Sequence, residues 1–179
     1  MTPVPEFQIQ VEPPSEAAMA PFGWLLGKPV PSEAGAVAFH NSATDFWQEH
    51  VFRPGDGGET EILWVKYRES DPRVARLENH ALTEQAVVPV IGSIIQLLAA
   101  SDGSGHPDLG TAKAFLVAPG QGLCMRPGIW HATRTADGES TCLMLTRRST
   151  TADLVNHLNH GAHIHESRLV DIATLHLIR

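Results

Sequence analysis

Residues 77–92 read LENHALTEQAVVPVIG, and residues 119–135 read PGQGLCMRPGIWHATRT. In the first stretch Glu78 and His80 stand two apart, so a strand projects both side chains from one face. A turn is expected at residues 81–83, and Gln85 then opens the next strand seven residues before Gly92. In the second stretch His131 follows Gly128 by three residues, directly after Trp130. A carboxylate, two imidazoles and a carboxamide on strand ends can converge on a divalent cation or move protons near neutral pH. A polar interior that merely hydrogen-bonds to itself uses the same residue types. Spacing alone leaves both readings open.

Outward from these stretches, short β-branched and aromatic runs alternate with turns. AVAFH (36–40), EILWVKYR (61–68), SIIQLLAAS (93–101), AKAFLVA (112–118) and TCLMLTRR (141–148) read as strands. PGDGG (54–58), SDGSGHPD (101–108), PGQG (119–122) and ADG (136–138) read as turns. Helix signals are few: Ser15 is a candidate N-cap, and TTADLVNHLNHG (150–161) carries apolar spacing with a closing Gly161. The expected fold is all-β, a barrel with a few short helices. One domain over residues 1–179 is expected, with 1–60 as an extension and 150–179 as a helix and strand packed on the barrel.

Composition narrows the function classes. Thirteen Lys and Arg against twenty Asp and Glu give a net charge of -7 over 179 residues, which argues against nucleic-acid and anionic-membrane partners. No apolar run approaches the roughly 20 residues of a membrane span. The opening MTPVPEFQIQVEPP shows neither the basic region nor the apolar core of a secretory signal. Two cysteines, Cys124 and Cys142, make no disulfide framework, so a cytoplasmic location is expected. Four histidines crowd the segment HLNHGAHIHESR, where a surface cluster is the expected reading. In TDFWQEHV (44–51), Asp45, Glu49 and His50 imitate a metal set, but the neighbouring aromatics favour a packing strand.

Both decisive stretches resemble the two motifs of the cupin superfamily. The first cupin motif places His-x-His, a Glu after three or four residues, and a Gly after six more; here the frame is Glu78-x-His80, Gln85 and Gly92. The second places Pro-x-Gly, two residues, then His; Gly128 and His131 fall on that frame, with Arg126 at the Pro position. The resemblance implies a double-stranded β-helix barrel of cupin type. It also implies that Glu78, His80, Gln85 and His131 face the barrel mouth as the metal-binding group.

Within the superfamily, LENHALTEQAVVPVIGS, PDLGTAKAFLVAPGQGL and GIWHA are similar to the ureidoglycolate lyase family, and EILWVKYR to its preceding strand. That likeness implies an amidine-lyase of purine (allantoin) catabolism that cleaves ureidoglycolate to glyoxylate and urea as a homodimer. It also implies one divalent metal, nickel by resemblance and otherwise zinc, manganese or iron. Glu78, His80, Gln85, Trp130, His131 and Arg68 match the family pattern. Arg126 and Ala132 stand where the family has His. The substrate is a small carboxylate. Expelling urea from it requires a base for the hydroxyl, an acid for the leaving nitrogen and a cation for the carboxylate. His131 or His80 suits the base, and Glu78 suits orienting a histidine, or the acid if burial raises its pKa. Arg126 or Arg68 suits the carboxylate, Gln85 the ureido group, and Trp130 a substrate contact. Two other readings fit the same residues: a metal-dependent cupin isomerase or oxygenase on another small hydroxy or keto acid, and a non-catalytic small-acid-binding cupin.

Overall fold

The computed structural model describes residues 7–179, so residues 1–6, part of the stretch read for a signal sequence, lie outside the described residues. The chain runs β1 (Phe7–Glu12), α1 (Glu16–Met19), β2 (Gly23–Leu26), β3 (Ala38–His40), β4 (Asp45–Trp47), β5 (Thr60–Tyr67), β6 (Arg73–His80), β7 (Gln85–Ile91) and β8 (Ile94–Ser101). It continues through β9 (Pro107–Val117), β10 (Gly122–Met125), β11 (Trp130–Thr135), β12 (Ser140–Arg147), α2 (Arg148–His160) and β13 (Ser167–Ile178). Ser15 caps α1 by accepting from the Ala18 N–H, and Gly161 closes α2 in the left-handed conformation. SDGSGH forms a tight turn held by Asp102, while Pro107 and Asp108, read with that turn, belong to β9.

Six strands close into a barrel in the order β1-β13-β6-β11-β8-β9, and a five-stranded sheet, β2-β10-β7-β12-β5, packs beside it. β3 and β4 form a separate hairpin. The architecture is all-β, a barrel with two short helices among the described residues, as the strand and turn pattern leads one to expect. Alternation along the strands divides the apolar residues into two cores. Ile95, Leu97 and Ala99 of β8 join Val74, Leu77, Ala114, Trp130, Leu175 and Leu177 inside the closed barrel. Their neighbours Ile94 and Leu98 face the other way, against Val87, Leu123, Met125, Cys142 and Met144 of the five-stranded sheet. The chain crosses from β7 to β8, and so from one sheet to the other, at Gly92. Its φ of +70° suits glycine, and an added Cβ would lie 2.7 Å from the Glu139 carbonyl oxygen. Pro89 interrupts the otherwise central β7 where the β12 register shifts between Thr141 and Cys142, the irregularity that lets a proline sit inside a sheet.

β5 settles which way EILWVKYR faces. Leu63, Val65 and Tyr67 pack inward, while Ile62, Trp64 and Lys66 stand outside. Lys66 and Arg68 both pair with Glu139 on that outer side.

Candidate active site between the two sheets

Glu78 and His80 leave β6 on the face opposite Leu77, and His131 leaves β11 on the face opposite Trp130. Strand alternation therefore sends all three toward the five-stranded sheet. The register fixes their meeting: His131 is paired with Glu78 across β6 and β11, and Ser167 with His80 across β6 and β13. From the facing sheet β7 contributes Gln85. One ligand atom from each of Glu78, His80 and His131 lies within 4.8 Å of the others.

The proton arrangement in this group is constrained. His131 Nδ1 lies 3.1 Å from the Ile129 carbonyl oxygen, which only accepts, so Nδ1 carries a hydrogen. His131 Nε2 lies 3.1 Å from Glu78 Oε1. A lone pair facing a carboxylate oxygen is repulsive, so a proton or another cation belongs between those two atoms. His80 Nδ1 is tied to Ser167 Oγ at 2.8 Å, which leaves Nε2 for a ligand. The two imidazole centroids are 5.2 Å apart. Burial first, and then the charge of His131, push His80 down to about 4, so it is neutral at physiological pH. Burial pushes the Glu78 carboxyl up, but the hydrogen bond and charge of His131, with the charge of His80, outweigh it and hold Glu78 below its ordinary value. Glu78 therefore rests as a carboxylate, and the role of an acid already protonated before the reaction, which a raised pKa would have given it, does not hold.

Above the group lies a cavity of about 310 Å³ lined by Glu78, His80, Gln85, Tyr67, Met144 and the α2 residue Leu158, among others. The floor is polar. The α2 side supplies Leu154, Val155 and Leu158 as an apolar roof over it. The Gln85 amide makes no hydrogen bond among the described residues and is open to a guest. Tyr67, hydrogen-bonded to Thr133, is pushed above the ordinary phenol range chiefly by burial. A second opening, a groove of about 550 Å³ lined by Arg73, Arg76 and Arg134, reaches Glu78 and His131 from the other side. Its cations are committed locally: Arg73 to Asp71, Arg76 to Asp171, and Arg134 to the carbonyls of Asp71, Arg73 and Thr133.

Three residues expected to touch substrate lie elsewhere. Trp130 is fully buried inside the closed barrel, because the alternation that sends His131 toward Glu78 turns Trp130 to the opposite face. Arg126 places its guanidinium 4.6 Å from the centre of the Trp24 ring and donates to the Ala20 carbonyl; it does not line the cavity. Arg68 is largely exposed and paired with Glu139. Sequence reasoning missed Ser167, which orients His80 from a strand 87 residues away, and the apolar face of α2 over the cavity. Neither carries a local motif.

The sequence model of the ureidoglycolate lyase family matches residues 6–165. Among curated relatives, the ureidoglycolate lyase of Chelativorans sp. (strain BNC1) is 27% identical over 146 residues, covering 79% of this chain and 85% of that one. "Ureidoglycolate lyase 2" of Rhizobium meliloti (strain 1021) is 30% identical over 142 residues, covering 75% and 79%. The ureidoglycolate lyase of Pseudomonas aeruginosa (strain LESB58) is 30% identical over 129 residues, covering 69% and 73%. Among solved structures, a dTDP sugar isomerase from Desulfovibrio desulfuricans G20 superposes with a TM-score of 0.44 at 11% identity, covering 74% of this chain and 78% of that one. With the family's sequence pattern running through both strands that build the site, this chain belongs to the ureidoglycolate lyase family.

Proposed function

We propose that this chain cleaves ureidoglycolate to glyoxylate and urea in the cavity between β6, β7, β11 and α2. The observation that carries the reading is the His131 Nε2 to Glu78 Oε1 contact of 3.1 Å, with Nδ1 already committed to a carbonyl. It marks a place that must hold positive charge, and the reaction needs positive charge against a carboxylate. Among the residues lining the cavity there is no Arg or Lys to supply it. Glu78, His80 and His131 form a donor set that fits a borderline divalent cation such as nickel or zinc, with Gln85 as a weaker neutral donor nearby. When bound there, such a cation would supply charge against the substrate carboxylate and acidify the neighbouring hydroxyl.

The remaining work falls to the chain's own side chains. Ser167 Oγ orients the His80 ring, and the Ile129 carbonyl fixes the His131 tautomer, so that both Nε2 atoms face one point. Glu78 Oε2 takes the hydroxyl proton as the carbonyl of glyoxylate forms, and delivers it to the departing nitrogen of urea. One proton moves from oxygen to nitrogen, so the step balances with a single relay group. The Gln85 amide donates to and accepts from the ureido group. Leu154, Val155 and Leu158 line the cavity with apolar side chains on the α2 side. By family membership the enzyme would serve cytoplasmic allantoin breakdown as a homodimer. Dimerisation is one way to cover Ile62 and Trp64, which stand 67% and 68% exposed on β5. No observation favours isomerase, oxygenase or sensor chemistry over this reading.

The test is glyoxylate release from ureidoglycolate by purified protein, before and after chelation and re-addition of nickel or zinc. Turnover is expected to depend on the cation, and Glu78→Gln and His131→Ala are each expected to lower kcat by about 10²–10⁴. Full turnover by His131→Ala would remove this site from the reaction.

A further inference from the structure

The same alternation that aims Gln85 and Met125 inward turns Glu84 and Cys124 to the outer face of the five-stranded sheet, where Cys124 is paired with Ala86 and Trp24. There they meet His50, which arrives on the segment following β4. His50 Nε2 is 2.8 Å from Glu84 Oε2, and Cys124 Sγ is 3.8 Å from the same oxygen. All three ligand atoms lie within 4.8 Å of one another. The His50 ring is stacked on Trp24 at 4.0 Å, and Arg126 lies over the other ring of that pair. The imidazole is thus held with Nε2 aimed at the carboxylate. The expectation that TDFWQEHV is simply a packing strand holds only for Asp45–Trp47; His50 has left the strand and serves this cluster.

We propose that His50, Glu84 and Cys124 form a second metal site, of zinc class, separate from the group at Glu78. Three features carry the assignment. First, one imidazole nitrogen, one carboxylate oxygen and one thiolate sulfur are ligands that a borderline cation takes together and a hard cation does not. Bonds of about 2.0–2.3 Å in a tetrahedron put ligand atoms about 3.3–3.7 Å apart, within a few tenths of an ångström to an ångström of the present spacing. Second, Glu84 has only 4% of its surface exposed, and its side-chain partners are His50 and the Cys124 thiol, with the Arg53 N–H. A dication bound to one carboxylate and one thiolate is charge-balanced in that buried place. Third, a cavity of about 280 Å³, lined by Leu26, Phe52, Val88 and Leu145 with His50 and Cys124, adjoins the group. Three protein ligands, two of which line that space, leave the fourth position for water or a small anion. Binding displaces the Cys124 thiol proton to solvent and ties three separate segments together: the chain after β4, the β6–β7 connection and β10.

Cobalt(II) distinguishes this site from the other one, because only this group includes a thiol. Titration of cobalt into chelator-treated protein is expected to produce a near-ultraviolet thiolate-to-cobalt charge-transfer band that saturates within two equivalents, one for each group. The band is expected to persist in Glu78→Gln and in His131→Ala, and to vanish in Cys124→Ala. His50→Ala keeps the thiol but loses a nitrogen, and is expected to weaken cobalt binding at least about tenfold. Circular dichroism of each metal-free variant establishes that it is folded. If Cys124→Ala does not fold, the His50→Ala titration decides alone. No band in the wild type, a band that survives in folded Cys124→Ala, or unchanged affinity in His50→Ala would overturn the proposal.

Discussion

Acid should destabilise this protein through His80 by an amount that can be worked out beforehand. His80 is 5% exposed, and burial with the neighbouring His131 lowers it from 6.5 to about 4. Its folded value is depressed, so its contribution to stability is complete above pH 6.5 and is lost as pH falls through about 4. At a pH near 4 the unfolded chain has bound almost the whole proton and the folded chain about half, a difference of about 3 kcal/mol. Glu78, also held below its ordinary value, loses stability in the same direction. His80→Gln removes the first contribution while keeping a hydrogen-bonding group near Ser167. Urea unfolding of chelator-treated wild type and variant, at a pH near 7.5 and again near 4, isolates it. The wild type is expected to lose about 3 kcal/mol more than the variant across that interval. A difference below about 1 kcal/mol would refute the placement of His80 as a buried neutral imidazole beside a second one.

Trp130→Phe and Arg126→Gln are expected to leave KM and kcat for ureidoglycolate within about twofold, because neither side chain lines the cavity; steady-state glyoxylate release checks both. Ser167→Ala frees the His80 ring and is expected to weaken metal binding at the Glu78 group by about 10–100-fold, measured by chelator competition. Gly92→Ala forces a Cβ against the Glu139 carbonyl at positive φ and is expected to cost about 2 kcal/mol or more, seen as a lowered Tm.

Much of this arrangement is legible in the sequence, because strand alternation is local. Glu78 and His80, two apart, had to share a face, and Leu63, Val65 and Tyr67 had to oppose Trp64 and Lys66. Gly161 announced the end of α2 by closing its apolar spacing, whereas Gly92 stood in the first motif with nothing to say that the chain changes sheets there. What was not legible depends on register between distant strands. Trp130 adjoins His131 in sequence and reads as a site residue, yet adjacency in a strand places the two on opposite faces. Arg126 looked free to hold a carboxylate because nothing nearby shows that Trp24, a hundred residues earlier, would take it. Ser167 meets His80, and Glu84 meets His50 and Cys124, only once β6, β7, β10 and β13 are paired. Glu78 shows the same limit in electrostatics: burial alone suggests a raised pKa, and the sign reverses because His131 is 3.1 Å away, with His80 adding in the same direction.

The most direct measurement is a crystal structure of the protein grown with glyoxylate. The product is expected between β6 and α2, within contact of His80, His131 and Gln85, with its carboxylate toward the Nε2 atoms of the two histidines. Glyoxylate bound instead against Arg126 or Arg68, with the cavity under α2 filled by side chains, would contradict the placement of the chemistry.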